Sequence, residues 1–393
     1  MIKRPFGKTG VNISALGFGA MRLPTMPNPD HNPDDKDSKQ NIINDELAIP
    51  LMHKAFELGV NYIDTAIYYV DGLSEISVGK AVKSWHANGG NQIYVATKNP
   101  VPGDPADDLP KVWWERFETS LRKLDLPHID FYHMWSLNLE SYQKGVLYKE
   151  GPLALALKAK EQGLIKHISF SWHGKTEDMK ILIDSGHFES VLLQYNLLDR
   201  SNEENIERAY DKGLGVVVMG PVAGGRLGEP SPVIQKVLGG NKKASTAEMA
   251  MRFVLANPKV HVSLSGMENI GQVVENAAVA GIEGGLTADE VSKIHIMLEE
   301  NKKLMDLYCT GCNYCLPCPA NINIPRVFTY MNYHKVYGLT DYAKREFAKI
   351  GNESWGPKYA KVSECVECGV CSEKCPQNID IIKQLKETEA ALS

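Results

Sequence analysis

The chain has 393 residues, 43% of them hydrophobic, and a formal net charge of −5 at pH 7. That length allows two or three domains, and the composition is that of an ordinary globular protein. Lys and Arg are scattered among more numerous acids, which argues against nucleic acid, and no apolar run nears the roughly 20 residues a bilayer needs, which argues against a membrane. Met1 opens a polar stretch without the apolar segment of a secretory signal, and the eight cysteines read below as reduced argue for a cytoplasmic setting.

From residue 15 onwards, short apolar runs alternate with amphipathic stretches. The runs are Ala15–Ala20, Val60–Ala66, Ile93–Thr97, Ile129–Met134, Lys166–Ser171, Ser190–Gln194, Gly215–Met219 and Val260–Ser265. Between and after them lie Glu46–Leu58, Leu73–Trp85, Lys111–Leu124, Leu153–Glu161, Thr176–Asp184, Glu203–Lys212, Thr246–Ala256 and Ile270–Ala280. In these stretches apolar residues recur at three and four positions, as in a helix lying on a sheet. Gly59, Gly163, Gly186 and Gly213 fall where a left-handed helix cap is expected, just before the next strand. Strands separated by single helices form right-handed parallel units, and eight of them close into a (β/α)8 TIM barrel. An open doubly wound sheet is the alternative, but no G-x-G-x-x-G follows the first strand.

Two stretches interrupt the repeat. Pro24–Asp45, rich in Pro, Asn and Asp, reads as a long loop leaving the first strand. Gly224–Lys243, with several glycines and prolines, follows the seventh strand and is expected to act as a lid over a ligand.

All eight cysteines lie after residue 308, in two runs of four: Cys309, Cys312, Cys315, Cys318 and Cys365, Cys368, Cys371, Cys375. The second run, followed by Pro376, has the C-x2-C-x2-C-x3-C-P spacing with which bacterial ferredoxins hold 4Fe–4S clusters. In two-cluster ferredoxins the fourth cysteine ligates the other cluster. Cys309, Cys312, Cys315 and Cys375 are therefore assigned to one cluster, and Cys365, Cys368, Cys371 and Cys318 to the other. The first run closes with x2 before Pro319, which makes Cys318 the weakest match to the pattern. Zinc sites favour paired C-x2-C units separated by a long gap, and disulfides need an oxidising compartment. The segment between the runs reads as helices beginning at Pro325 and capped at Thr340, and the terminal stretch from Ile379 reads as a last helix. The expected division is 1–300 for the barrel and 301–393 for a mainly helical ferredoxin-like domain.

Several segments of the first 300 residues resemble aldo-keto reductases: the opening at Lys3–Gly19, the stretch from Asn61 that holds Asp64 and Tyr69, the strand ending at Lys98, the segment around Gln194, the glycines after Pro221, and the segment with Glu275 and Asn276. The cysteine tail resembles that of a bacterial and archaeal subgroup of the same family. The resemblance implies an oxidoreductase acting on a small organic substrate, a carbonyl or an activated double bond. It implies a catalytic tyrosine at Tyr69, a lysine at Lys98 that lowers its pKa, and an aspartate at Asp64 that holds the lysine. A phenol with an unperturbed pKa near 10 needs such an ammonium to exchange protons at neutral pH. The family's histidine position holds Trp135, whose indole donates one hydrogen bond and accepts none. His133, two residues earlier on the same face of the strand, is the candidate to replace it or to pair with Asp64.

The resemblance also implies a nicotinamide dinucleotide, NAD(P)H, held by Ser171, Gln194, Glu275 and Asn276. Trp172 stands where many members have an asparagine for the carboxamide, and Gly266 and Gln272 stand where NADPH users place cations. Trp135, Trp172 and His173 are candidates for lining the mouth, where two indoles could sandwich a flat ring. Because a hydride carries two electrons and each cluster one, three readings are open. The barrel uses a nicotinamide while the clusters serve an external carrier, a ferredoxin or flavodoxin. Alternatively the mouth holds a flavin and low-potential electrons from the clusters reduce the substrate, or the chain is a non-catalytic redox-sensing or binding protein.

Overall fold

In this computed structural model, eight parallel strands hydrogen-bond in sequence order and close on themselves. They span Leu16–Gly19, Tyr62–Asp64, Tyr94–Pro100, Ile129–Leu137, Ile165–Trp172, Ser190–Gln194, Gly215–Met219 and Val262–Gly266. The structure describes residues 1–32, 34, 35, 38–101, 109–237, 245–283, 286–306, 309, 313–353, 357–375 and 379–393. Every expected strand is found, and the fold is the (β/α)8 barrel.

By contacts the chain divides into two compact units: Met1–Ala223 with Ala250–Gly285, and Gly224–Met249 with Leu286–Ser393. In the first unit a short antiparallel hairpin, Lys3–Pro5 with Asn12–Ser14, precedes the barrel. Phe6 and Ile13 join Tyr62, Ala96, Phe131, Leu192, Val217 and Val262 in one buried cluster, so the hairpin plugs the end of the barrel where the strands begin. The Phe6 ring meets Phe131 edge-on at 5.2 Å and lies against Gly215, where an added Cβ would come within 2.4 Å of it. Burying a side chain of this size stabilises by about 1.5–3 kcal/mol, which a Phe6→Ala truncation would forfeit together with a cavity term.

Most helices coincide with the amphipathic stretches, including Glu203–Lys212 and Thr246–Ala256 to the residue. Gly213 caps the former at φ 82°, the left-handed conformation that glycine adopts without strain. In the first unit two expected elements need correction. Thr176–Asp184 is a 3-10 turn, Thr176–Asp178, leading into a short helix, Met179–Asp184. Pro24–Asp45 is not plain loop, because Thr25–Pro27 and Asn41–Ile43 pair as an antiparallel ribbon, tied at its end by the Asn28 amide donating to the Lys39 carbonyl at 2.8 Å.

The second unit is mainly helical: Ala288–Asp306, Ile324–Lys335, Thr340–Phe347, Val370–Glu373 and Ile381–Leu392. Pro325 sits in the first turn of its helix and Asn323 caps it, accepting from the Arg326 N–H at 3.1 Å. Thr340 lies inside its helix instead of capping it, and its hydroxyl bonds the His334 ring at 3.0 Å. Asp380 caps the last helix. Ile322, Ile324, Phe328, Leu385 and Leu392 share one core with Cys315 and Cys371, so the cysteines are anchored to the unit's own hydrophobic centre. The expected boundary at residue 300 falls inside the helix Ala288–Asp306, which groups with the second unit.

Of the expected lid, Gly224–Val237 groups with the second unit. Ser231 donates to the Tyr337 carbonyl at 2.5 Å, and Arg226 bonds the Tyr333 hydroxyl over its ring, so this stretch is tied down there. Residues 238–243 of that expectation lie outside the described residues. Among the described residues no helix is long and apolar enough to cross a membrane.

Candidate active site and cluster pocket

Asp64 ends the second strand and Lys98 lies near the end of the third, both pointing into the barrel and both buried. The Lys98 ammonium donates to the Asp64 carboxylate at 2.5 Å and to the Thr65 carbonyl at 2.8 Å. Tyr69 follows the second strand, and its ring centre is 4.6 Å from the Lys98 nitrogen. The turn behind it, Val70, Asp71 and Gly72, is left-handed throughout. Two non-glycine residues in that region are a local strain of the kind that marks functional loops.

Burial lowers the Lys98 pKa, but Asp64 and Tyr69 outweigh it, so the ammonium is held above its ordinary value and stays charged. Burial raises the Asp64 carboxyl against the pull of Lys98. Tyr69 is raised by burial, and Lys98 opposes that rise. The phenol is therefore protonated at neutral pH, with a cation beside it that stabilises the anion left after proton donation.

His133 lies in the same layer as Lys98, with which it is paired in register, and is buried. Its Nε2 is 3.3 Å from the Tyr62 hydroxyl, not on Asp64 as one expectation had it. Desolvation first, and then Lys98, lower its ring to about 3, so it is neutral. Sequence reasoning missed Tyr62 as its partner. The available signal was strand alternation, which puts Tyr62 two residues before Asp64 on the same face.

Trp135 is the residue expected at the histidine's position. The fourth strand carries one extra residue relative to the fifth between Met134 and Leu137, a β-bulge in which Ser136 takes φ 59°. The Ser171 hydroxyl accepts from the Ser136 N–H at 2.7 Å and so satisfies the bulge. Trp135 is half-buried, perpendicular to the Tyr69 ring at 5.7 Å and tilted against Tyr68 at 6.1 Å.

The expected dinucleotide residues fare unevenly. Gln194, at the end of the sixth strand, is half-buried with its amide against Gly220. Asn276 is buried and donates to Ser265 at 3.1 Å, while Glu275 is exposed. Trp172 is buried, its indole N–H is covered and has no partner among the described residues, and a Cβ on Gly174 would come within 2.7 Å of its ring edge. So little of the indole is exposed that it offers scant surface to the expected sandwich of two indoles. His173 beside it is exposed, and desolvation and then Lys98 lower its pKa. Another residue missed from sequence is Arg22, whose side chain packs on Gly266 from the end of the first strand and pairs with Glu268 at 3.7 Å. Its signal was only spatial, since the first and eighth strands are neighbours in the closed barrel.

In the second unit Cys318, Cys365, Cys368 and Cys371 line one pocket, whose other walls include Ile322, Ile324, Ile382 and Leu385. Burial raises the Cys371 thiol, and Cys318 pushes the same way from nearby. Among the described residues no three His, Cys, Asp or Glu side chains converge as a single metal ion requires. Four cysteines on one apolar-walled pocket are the donor set that a cubane cluster takes, and the residues fit that group. Cys309, Cys315 and Cys375 pack on the same core, while Cys312 lies outside the described residues.

Fold and site together define a barrel enzyme, and likeness to known proteins narrows the class. Residues 15–299 match the aldo/keto reductase family, and residues 308–379 match a 4Fe-4S dicluster domain. The chain belongs to the aldo/keto reductase family, and is an oxidoreductase with a dicluster domain at its carboxyl end. It is 27% identical over 321 residues to L-galactose dehydrogenase of Arabidopsis thaliana, covering 77% of this chain and 95% of that one. It resembles the holo form of the aldo-keto reductase AKR11C1 from Bacillus halodurans at TM-score 0.61 and 26% identity, over 75% of this chain and 96% of that one. An aldo-keto reductase from Klebsiella pneumoniae in complex with NADPH shares the fold at TM-score 0.58 and 20% identity, over 76% and 96% of the two chains.

Proposed function

We propose that the barrel reduces or oxidises a small organic molecule, a carbonyl or an activated double bond, with Tyr69 as the proton donor. The observation that carries this is the buried Lys98 ammonium, 2.5 Å from Asp64 and 4.6 Å from the Tyr69 ring centre. In the reducing direction a dihydronicotinamide held by Gln194, Glu275 and Asn276 would supply the hydride. As the C–H bond forms and the C=O π bond breaks, the Tyr69 O–H proton passes to the substrate oxygen. Lys98 steadies the resulting phenolate until water reprotonates it, and Asp64 keeps Lys98 charged and in place.

Gln194, Glu275 and Asn276 are the residues proposed to hold the dinucleotide, and Ser171 keeps its own hydroxyl proton free to donate. Arg22 offers a cation near Gly266, but Glu268 is paired with it, and that carboxylate would repel a 2′-phosphate. NADH is therefore the preferred donor. His133 is proposed as structural support beneath Lys98.

The tail is proposed to hold two 4Fe–4S clusters, one on Cys318, Cys365, Cys368 and Cys371 and one on Cys309, Cys312, Cys315 and Cys375. The clusters would exchange single electrons with an external carrier of the ferredoxin or flavodoxin type. The identity of residue 172 supports a second reading: an indole in place of an amide cannot pair with a carboxamide, and a flavin at the mouth would take the nicotinamide's place.

Anaerobically purified protein should contain eight iron and eight sulfide per chain, two clusters of four, and should oxidise NADH when offered an aldehyde. Zinc in place of iron would end the cluster assignment. A bound flavin that NADH leaves oxidised, with no NADH consumed, would favour the second reading.

A further inference from the structure

Trp135 gives the mouth a chemical preference. Its indole is half-exposed and has no hydrogen-bond partner among the described residues. It stands perpendicular to the ring of Tyr69 and tilted against Tyr68, which is 55% exposed. Met21, 61% exposed just beyond the first strand, adds apolar surface at the same end of the barrel. The indole is held there by a specific device, the bulge at Ser136 whose unpaired N–H is taken by Ser171. A strained, hydrogen-bonded bulge next to a reactive tyrosine aims a side chain, as bulges at sites do.

We propose that Trp135 and Tyr68 form an aromatic wall that selects flat, conjugated carbonyl compounds and lays the carbonyl oxygen towards the Tyr69 hydroxyl. This rests on the reading of Tyr69 as proton donor. An aromatic face attracts another π system through offset or edge-on packing, whereas a puckered aliphatic ring gains only area burial.

Benzaldehyde and cyclohexanecarboxaldehyde have the same carbon skeleton, one flat and conjugated and the other puckered. Their binding to the full cluster-loaded chain is measured by calorimetry without a hydride donor, and their KM and kcat are measured with NADH. Benzaldehyde is expected to bind about five- to tenfold more tightly. Trp135→Leu should bring the two within about twofold, and Trp135→Phe should keep the preference, with unchanged cluster absorbance and circular dichroism showing that both variants fold. Equal binding by the wild type, or a preference that survives Trp135→Leu, overturns the proposal. If the preference is seen in binding but neither aldehyde turns over, the wall stands and the reading of Tyr69 fails instead.

Discussion

The Lys98 ammonium and the Asp64 carboxylate form a buried ion pair 2.5 Å apart inside the barrel, within reach of the Tyr69 ring. Removing one partner of such a pair leaves an uncompensated charge and costs about 3–5 kcal/mol. Lys98→Met is therefore expected to lower both stability and turnover, the latter by roughly 100-fold or more. The double variant Lys98→Met with Asp64→Leu should recover most of the stability in urea unfolding while turnover stays lost. Recovery of turnover would show that the pair serves the fold alone.

Tyr69 titrates above its ordinary value, because burial outweighs Lys98. Reduction needs the protonated phenol, so kcat should hold through neutral pH and fall only well into the alkaline range. A kcat profile that declines between pH 6 and pH 8 would contradict this, and would point to a histidine as the donor.

His133 is neutral, its ring lowered to about 3 by burial and then by Lys98. The unfolded chain takes up a proton near its ordinary value of about 6.5, which the folded chain refuses until far lower pH. The contribution is full above pH 6.5 and is lost as pH falls towards 3, at up to about 1.4 kcal/mol per pH unit. His133→Phe should flatten that acid limb in denaturation measured as a function of pH. Turnover is expected to stay within a few-fold of wild type, and a 100-fold loss with an intact fold would restore His133 to the catalytic set.

Glu75 is a buried carboxyl behind the third strand, accepting from the Thr97 hydroxyl at 2.7 Å, with its other oxygen unpartnered among the described residues. Burial raises its pKa, so the folded state favours the protonated form. Its contribution is largest below the unfolded value of about 4.3 and is lost as pH rises through the raised folded value. Glu75→Gln keeps an oxygen for Thr97 and carries no charge. It should match or exceed wild-type stability at pH 8, and a clear loss there would mean that the charged form is the native one.

Legibility in the sequence followed how local the cause was. Ser190–Gln194 and Gly215–Met219 were readable to the residue, because each is a continuous apolar run that begins at the foot of the barrel. The hairpin Lys3–Pro5 with Asn12–Ser14 was not read, since its strands are only three residues long and polar on one side. The gathering of Asp64, Lys98 and Tyr69 at one place was legible from the motifs around them. The role of Ser171 was not: its hydroxyl meets a bulge 35 residues earlier, and nothing local to Ser171 announces that. The burial of Trp172 was not legible either, because it follows from the loop at Gly174, which packs against the ring edge. For the cysteines, spacing alone suggested that Cys318 crosses to the second run, and the shared pocket supports that assignment.

The most direct measurement is anaerobic steady-state reduction of benzaldehyde by NADH, comparing the cluster-loaded wild type with Tyr69→Phe at matched iron content. The account predicts turnover in the wild type and a fall of kcat by roughly 100-fold or more in the variant, with the clusters unaffected. Equal turnover in the two proteins would contradict it.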